Sequence, residues 1–218
     1  MSKAMNANFL IFLRIYGKIR LNFVNCSYRY IFIKIIIKLI DTSKIVISGG
    51  PGGGKTTIIN SLKDMGYCCY DEIGREFILK YKKKHNQNIF FENPLEFSNI
   101  LWKKREEQFK KSMKQKEYDK VFFDRGLLDI TSYLEFIGKR NLNLERKLTN
   151  FKYDIIFLVK PTKKNYKKDF SRYEDFSQSI KIHNILERNY NKHFKTIDVP
   201  FEKLKDRINF IIDFCKKL

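Results

Sequence analysis

From residue 44 onward, short apolar runs alternate with longer stretches in which apolar side chains recur every three or four positions. "KIVIS" at 44–48 is rich in β-branched residues and bounded by glycine, the pattern of a buried parallel strand. Lys55 to Leu62 follows, with Ile58, Ile59 and Leu62 at helical spacing, so the chain runs strand, glycine turn, helix. "YCCYDE" at 67–72 reads as a second strand, and Ile73, Phe77 and Tyr81 then recur every fourth residue on a helix. "NPLEF" opens a longer helix whose buried side is marked by Leu101, Phe109 and Met113. "KVFFDRG" at 120–126, "YDIIFLVKP" at 153–161 and "FKTIDVP" at 194–200 are the third, fourth and fifth strands. Leu204, Ile208, Ile211, Ile212 and Cys215 form the apolar stripe of a closing helix. Mostly parallel strands joined by helical crossovers predict a three-layer α/β/α sandwich, which gathers ligands beyond the carboxyl ends of its strands.

Length and charge change this picture only at the edges. The 218 residues suit one domain plus an extension. A formal charge of +20 raises nucleic acid or an anionic membrane as partners. The lysines, however, are spread over many helices and form no arginine-rich stripe, so the pattern reads as a solvated coat and argues against a dedicated nucleic-acid surface. Cys26, Cys68, Cys69 and Cys215 have neither zinc spacing nor a CxxC pair, which suits reduced thiols and a cytoplasmic location.

The first 41 residues stand apart. No acid precedes Asp41, while Lys3, Arg14, Lys18, Arg20, Arg29, Lys34 and Lys38 make the leader basic. Its apolar runs, "FLIFL" and "YIFIKIIIKLI", fall short of the about 20 residues a membrane-crossing helix needs. A targeting peptide, a weak membrane-surface anchor, an added strand or helix, and an extension outside the fold all remain open for residues 1–41, with the nucleotide-binding domain expected at 42–218.

The chemistry concentrates in "ISGGPGGGKTT". Gly49, Gly50, Pro51, Gly52, Gly53, Gly54, Lys55 and Thr56 satisfy G-x-x-x-x-G-K-[ST] between a strand and a helix, and Thr57 follows. Glycines let backbone amides curl around a phosphate, the helix start adds unpaired N–H groups, and Lys55 brings a mobile charge to the outer phosphates. The Thr56 hydroxyl suits Mg2+. The expected ligands are therefore a nucleoside triphosphate and Mg2+; the loop meets phosphates only, so ATP and GTP both stay open here.

Around this cradle, Asp124 ends an apolar strand and is the candidate magnesium carboxylate, with a helix cap for Leu127 as its structural alternative. Arg125 is a candidate clamp for a phosphate or an acceptor carboxylate, against a plain ion pair. Asp71 and Glu72 stand at the second strand end with Arg75 one turn on; an acid here can take the proton of an acceptor hydroxyl, or cap a helix in a local Glu–Arg pair. The lysine-rich stretch 161–175 has the composition of a lid, with Arg172 as its phosphate contact and Asp169 as that arginine's partner. His183 shares a helical face with Phe176, Ile180 and Tyr190 and reads as a packed histidine. Trp102 and Arg105 read as a core tryptophan beside a solvated arginine, or as a helix reaching the cleft.

"ISGGPGGGKTT", "YDEIGREFI", "FFDRGLLDITSY", "YDIIFLVKP", "DFSRYEDF" and "VPFEKLKDRINFII" together resemble the small P-loop family of AAA-domain predicted ATPases, which is similar to nicotinamide riboside kinase and thymidylate kinase folds. The resemblance implies a parallel five-stranded sheet of kinase-like order 2-3-1-4-5 with a lid after the fourth strand. It places the phosphate and metal roles on Lys55, Thr56 and Asp124, the acid and arginine on Glu72 and Arg75, and the lid pair on Asp169 and Arg172. Lys55, Glu72, Asp124, Arg125 and Arg172 are then the catalytic candidates, with Asp71, Glu72, Arg75 and Arg125 facing a small acceptor. Kinase-like transfer from ATP is the leading expectation. A hydrolase or a switch acting on a protein partner is the alternative.

If the leader lies outside the fold, a chain lacking residues 1–40 should bind Mg-ATP within about threefold of the parent in calorimetric titration. Loss of soluble folded protein on that deletion would place the leader inside the fold.

Overall fold

The computed structural model describes residues 42–85, 88–115, 117–163, 166 and 174–216. The basic leader and most of the expected lid, including Asp169 and Arg172, lie outside the described residues. The sheet comprises β1 (Ser43–Ser48), β2 (Cys68–Tyr70), β3 (Lys120–Asp124), β4 (Ile155–Leu158) and β5 (Thr196–Asp198). All four pairings are parallel and the spatial order is β2-β3-β1-β4-β5. Between and after the strands run α1 (Lys55–Asp64), α2 (Ile73–His85), the one-turn α3 (Ile89–Glu92), α4 (Pro94–Met113), α5 (Leu127–Phe136), α6 (Leu142–Lys147), α7 (Phe176–Asn191) and α8 (Leu204–Cys215).

The period-two alternation of side chains along each strand builds two cores. Ile45 and Ile47 of β1, Phe122 of β3, and Ile155 and Phe157 of β4 pack on Ile58, Ile59 and Leu62 of α1 and on Ile208 and Ile211 of α8. Their neighbours Val46, Val121, Phe123, Ile156 and Leu158 face the other way, onto Leu127 and Leu134 of α5, Ile182 and Leu186 of α7, and Trp102 and Phe109 of α4. Both faces of the central strands are therefore sealed, which is why these strands read as unbroken apolar runs. The result is the three-layer α/β/α sandwich with a parallel five-stranded sheet of order 2-3-1-4-5.

Local chemistry sets the helix ends. Asn93 caps α4, its side chain accepting from Glu96 N–H at 3.2 Å while Pro94 takes the first helical position. Asp175 and Gln178 exchange hydrogen bonds of 2.7 and 2.8 Å at the start of α7. Gly126, and not Asp124, caps α5; its N–H donates to Asp129 at 3.0 Å. The capping alternative for Asp124 is thereby corrected, because the chain needs two more residues to turn from β3 into the helix.

Two expectations of burial fail. Met113 lies in the last turn of α4 and is 63% exposed, since the buried face of the helix there is carried by Phe109 and Ser112. Leu204 is 37% exposed, so the stripe of α8 begins at Ile208. Arg105 is 4% exposed, which removes the reading of it as a solvated arginine and leaves that of a helix reaching the cleft. β1 begins one residue before its apolar run, whereas β2, β3, β4 and β5 are shorter than the runs that marked them, and α3 and α6 have too few residues to show a period. Among the described residues, no helix is long and apolar enough to cross a membrane.

Phe122 is fully buried, and its ring meets Tyr67 edge to face at 5.4 Å between centroids. Phe122→Ala should lower the free energy of unfolding by about 3–5 kcal/mol, read as a lower urea midpoint at unchanged slope. A loss below about 1 kcal/mol would contradict this packing.

Candidate active site

At the end of β1 the chain turns back through Gly49–Gly54. Gly49 has φ of +127°, and a β-carbon there would stand 2.2 Å from the Val159 carbonyl oxygen, so only glycine fits. Gly54 forms the cap of α1 at φ of +87°, leaving the first amides of that helix turned toward the cleft. Three side chains from distant parts of the sequence hold the loop from behind. Gly50 N–H donates to His183 Nδ1 at 3.4 Å, the Ser179 hydroxyl donates to the Pro51 carbonyl, and Arg207 Nη2 donates to the Gly53 carbonyl at 2.9 Å. Burial, then the charges of Lys160 and Lys55, push His183 down to about 4, so its imidazole is neutral and free to accept.

Lys55 is 5% exposed and donates to the Gly49 and Gly50 carbonyls, both at 2.7 Å. Burial and then the nearby Arg125 charge push it down to about 7, against the pull of Asp124 and Glu72. Beside it, the Thr56 hydroxyl donates to Asp124 Oδ2 at 3.1 Å. The other carboxylate oxygen, Oδ1, is buried with no partner among the described residues. A buried carboxylate oxygen without a donor beside a threonine hydroxyl fits a hard, oxygen-seeking cation such as Mg2+. Burial and then the neighbouring Glu72 charge hold the Asp124 carboxyl up at about 6, a penalty that a bound cation would reverse.

Arg125 organises the side of the cleft nearest β2. It is the sole non-glycine residue with positive φ among the described residues, at 76°, and its N–H is held by the Ile47 carbonyl at 3.1 Å. This backbone, which costs about 1–3 kcal/mol, turns the guanidinium back over the sheet edge. There Nε donates to Glu72 at 2.8 Å and Nη1 to the Tyr133 hydroxyl at 3.3 Å. Glu72 thus pairs across strands with Arg125, which corrects the local Glu72–Arg75 pair expected from spacing. Burial works to raise the Glu72 carboxyl, but Arg125, Lys55, Arg105 and Arg75 outweigh it and hold Glu72 below the usual carboxylate range. Asp71, one residue earlier, points elsewhere: it is exposed and pairs with Lys63. It stands outside the cavity that takes in Glu72, Arg75 and Arg125.

That cavity has a volume of about 360 Å³. Gly52, Lys55 and Thr56 form one end, while Asn88, Phe97 and Leu101 line its other, more apolar part. The Asn88 side-chain oxygen accepts from Phe90 N–H at 3.0 Å, which fixes the amide and leaves Nδ2 buried without an acceptor among the described residues. Several of these residues were not legible as site residues. Asp129 is 1% exposed and accepts from Ser48 at 2.9 Å and from Tyr190 at 2.5 Å, tying the end of β1 to α5 and α7. Arg105, for which a helix reaching the cleft was one of the two readings, lines the cavity and donates to the Gly126 carbonyl at 2.6 Å. The carboxylate in "LLDIT", placed inside an apolar helix run, was the available signal for Asp129.

A family model described as "AAA domain" matches residues 44–207, which run from the first strand through all three side chains that hold the phosphate loop. The chain belongs to this family. Deoxyadenosine kinase from M. mycoides with products dCMP and a flexible dCDP superposes with a TM-score of 0.58 at 18% identity, covering 80% of this chain and 100% of that one. The same kinase with bound dATP gives a TM-score of 0.56 at 19% identity, covering 80% and 99%. Thymidylate kinase from Candida albicans gives 0.62 at 14% identity, covering 81% and 92%. At these identities the likeness is one of fold alone: the three-layer α/β/α sandwich with a phosphate loop that these kinases share. No curated protein sequence matches the chain significantly.

Since Lys55 sits at about 7, it is mostly neutral in the free protein at pH 8. A triphosphate raises it again, so binding of Mg-ATP at pH 8 should take up close to one proton, Asp124 being ionised before and after. Calorimetry in buffers of different ionisation enthalpy reads this directly, and a binding enthalpy independent of buffer would refute it.

Proposed function

We propose that this protein is a Mg2+-dependent kinase that transfers the terminal phosphoryl group of ATP to a hydroxyl of a small, nucleoside-like acceptor. The observation that carries this reading is the continuity of the cavity from the phosphate loop to a mixed wall of Arg75, Asn88 and Phe97. A water-activating hydrolase has no use for an apolar chamber of this size beside its triphosphate, whereas pockets of about 300–1,000 Å³ with few convergent polar groups are what small molecules occupy. The kinases sharing the fold carry deoxyadenosine kinase and thymidylate kinase in their names, and one holds dCMP as product.

On this reading Gly49, Gly50, Pro51, Gly52, Gly53, Gly54, Thr56 and Thr57 form the nucleotide cradle, and Thr56 with Asp124 would hold Mg2+. When bound, the ion neutralises charge building on the phosphate oxygens. Lys55 leaves the Gly49 and Gly50 carbonyls for the phosphates. Glu72 orients the acceptor hydroxyl and accepts its proton. Its ion pair makes it a weak base, which suffices because a loose phosphoryl transition state asks little of a base before the bond has formed. Arg125 holds Glu72 in place and with Arg75 faces anionic parts of the acceptor. Asn88 Nδ2 offers a hydrogen bond to a carbonyl or ring nitrogen at the far end. Asp169 and Arg172 are assigned to a lid that excludes water once ATP is bound.

Incubation with labelled Mg-ATP or Mg-GTP, alone and with a panel of nucleosides, nucleoside monophosphates and nicotinamide riboside, tests this. Label should reach an acceptor, and Glu72→Gln should cut that transfer about 100-fold while leaving Mg-ATP affinity intact. Label that reaches only inorganic phosphate would make the protein a hydrolase or switch.

A further inference from the structure

The Gly53 carbonyl and the Gly54 N–H belong to one peptide unit of the phosphate loop. Arg207, in the first turn of α8, approaches that unit from behind. Its Nη2 donates to the Gly53 carbonyl at 2.9 Å, and a β-carbon placed on Gly54 would meet its Nη1 at 3.4 Å. The residue is 5% exposed, and its Nε is buried without an acceptor among the described residues. No carboxylate among the described residues pairs with it, and burial alone bears on its pKa, lowering it.

A buried guanidinium without a counter-ion is unfavourable by itself. Its position gives that disfavoured charge a use. A charged donor on a carbonyl polarises the whole peptide, so the N–H at the other end becomes a stronger donor. That N–H belongs to the cap of α1, one of the amides the helix leaves without a partner at its positive end. An anion at the loop would therefore meet a sharpened donor and, just behind it, a positive charge that no carboxylate among the described residues offsets.

We propose that Arg207 is a positioning residue for the nucleotide phosphates, acting through the Gly53–Gly54 peptide and through its own uncompensated charge. This rests on the reading of the loop as a nucleotide site and is independent of the acceptor.

The test compares Arg207→Gln, which keeps a donor and loses the charge, with Arg207→Lys, which keeps both, in the full chain. Mg-ATP titration calorimetry is paired with melting of the nucleotide-free proteins. The Gln variant should bind Mg-ATP about tenfold more weakly and the Lys variant within about threefold of the parent, both melting within about 2 °C of it. Parental affinity in the Gln variant overturns the proposal, as does equal weakening in both variants, which would make shape the cause. A Gln variant whose melting temperature falls by about 5 °C or more along with its affinity would make Arg207 a strut and likewise overturn it. A parent that fails to bind Mg-ATP sinks this proposal together with the kinase reading. A parent that binds Mg-ATP but phosphorylates no acceptor sinks only the latter.

Discussion

Parallel pairing of β1 with β3 places Asp124 opposite Ile47, one residue before the phosphate loop leaves the sheet. Everything in the site depends on that register. It puts the Thr56 hydroxyl 3.1 Å from the Asp124 carboxylate, although 68 residues separate them in sequence. A one-residue slip would turn Asp124 into one of the apolar cores and bring Phe123 to the cleft. The alternation of Val121, Phe122 and Phe123 between two sealed cores resists such a slip, so the packing of the sheet is what holds the Asp124 carboxylate in place.

The second theme is charge held under strain. Lys55, Glu72, Arg125 and Asp124 lie close together, largely withdrawn from solvent, and their charges act on one another's ionisation. The direct Glu72–Arg125 pair keeps Glu72 ionised, while Lys55 and Asp124, without a full partner, are pulled toward neutrality. On the proposed function, a magnesium-bound triphosphate would supply the missing countercharges: the cation to Asp124 and the phosphates to Lys55. The buried Arg207 guanidinium behind the loop fits the same logic, as does the left-handed backbone of Arg125. Groups that are unfavourable in the free protein cluster where a charged ligand would relieve them.

The phosphate loop is supported by elements that follow it by more than a hundred residues. Helix α7 contributes His183 and Ser179, and α8 contributes Arg207. His183 was legible as a packed histidine from its helical face, but not as the acceptor for the Gly50 amide. Ser179 and Arg207 carried no signal, since a serine or arginine in an amphipathic helix ordinarily faces solvent. Asp71 and Glu72 show the same limit from the other side. They are adjacent in sequence and look equivalent, yet one pairs with Lys63 at the surface and the other with Arg125 in the cleft.

By itself the amino-acid sequence determined the five strands, the main helices and the glycine loop with Lys55 and Thr56, and it put Asp124 at a strand end. These follow from near-neighbour periodicity and from the steric freedom of glycine, which act within a few residues. Only the tertiary structure decided that Glu72 pairs with Arg125, that Asp129 anchors β1 to α5 and α7, that Arg105 is buried, and that Asn88 lines a cavity reaching the phosphate loop. Such partners are chosen by distances across the sheet and between helices, and spacing along the chain carries no record of them.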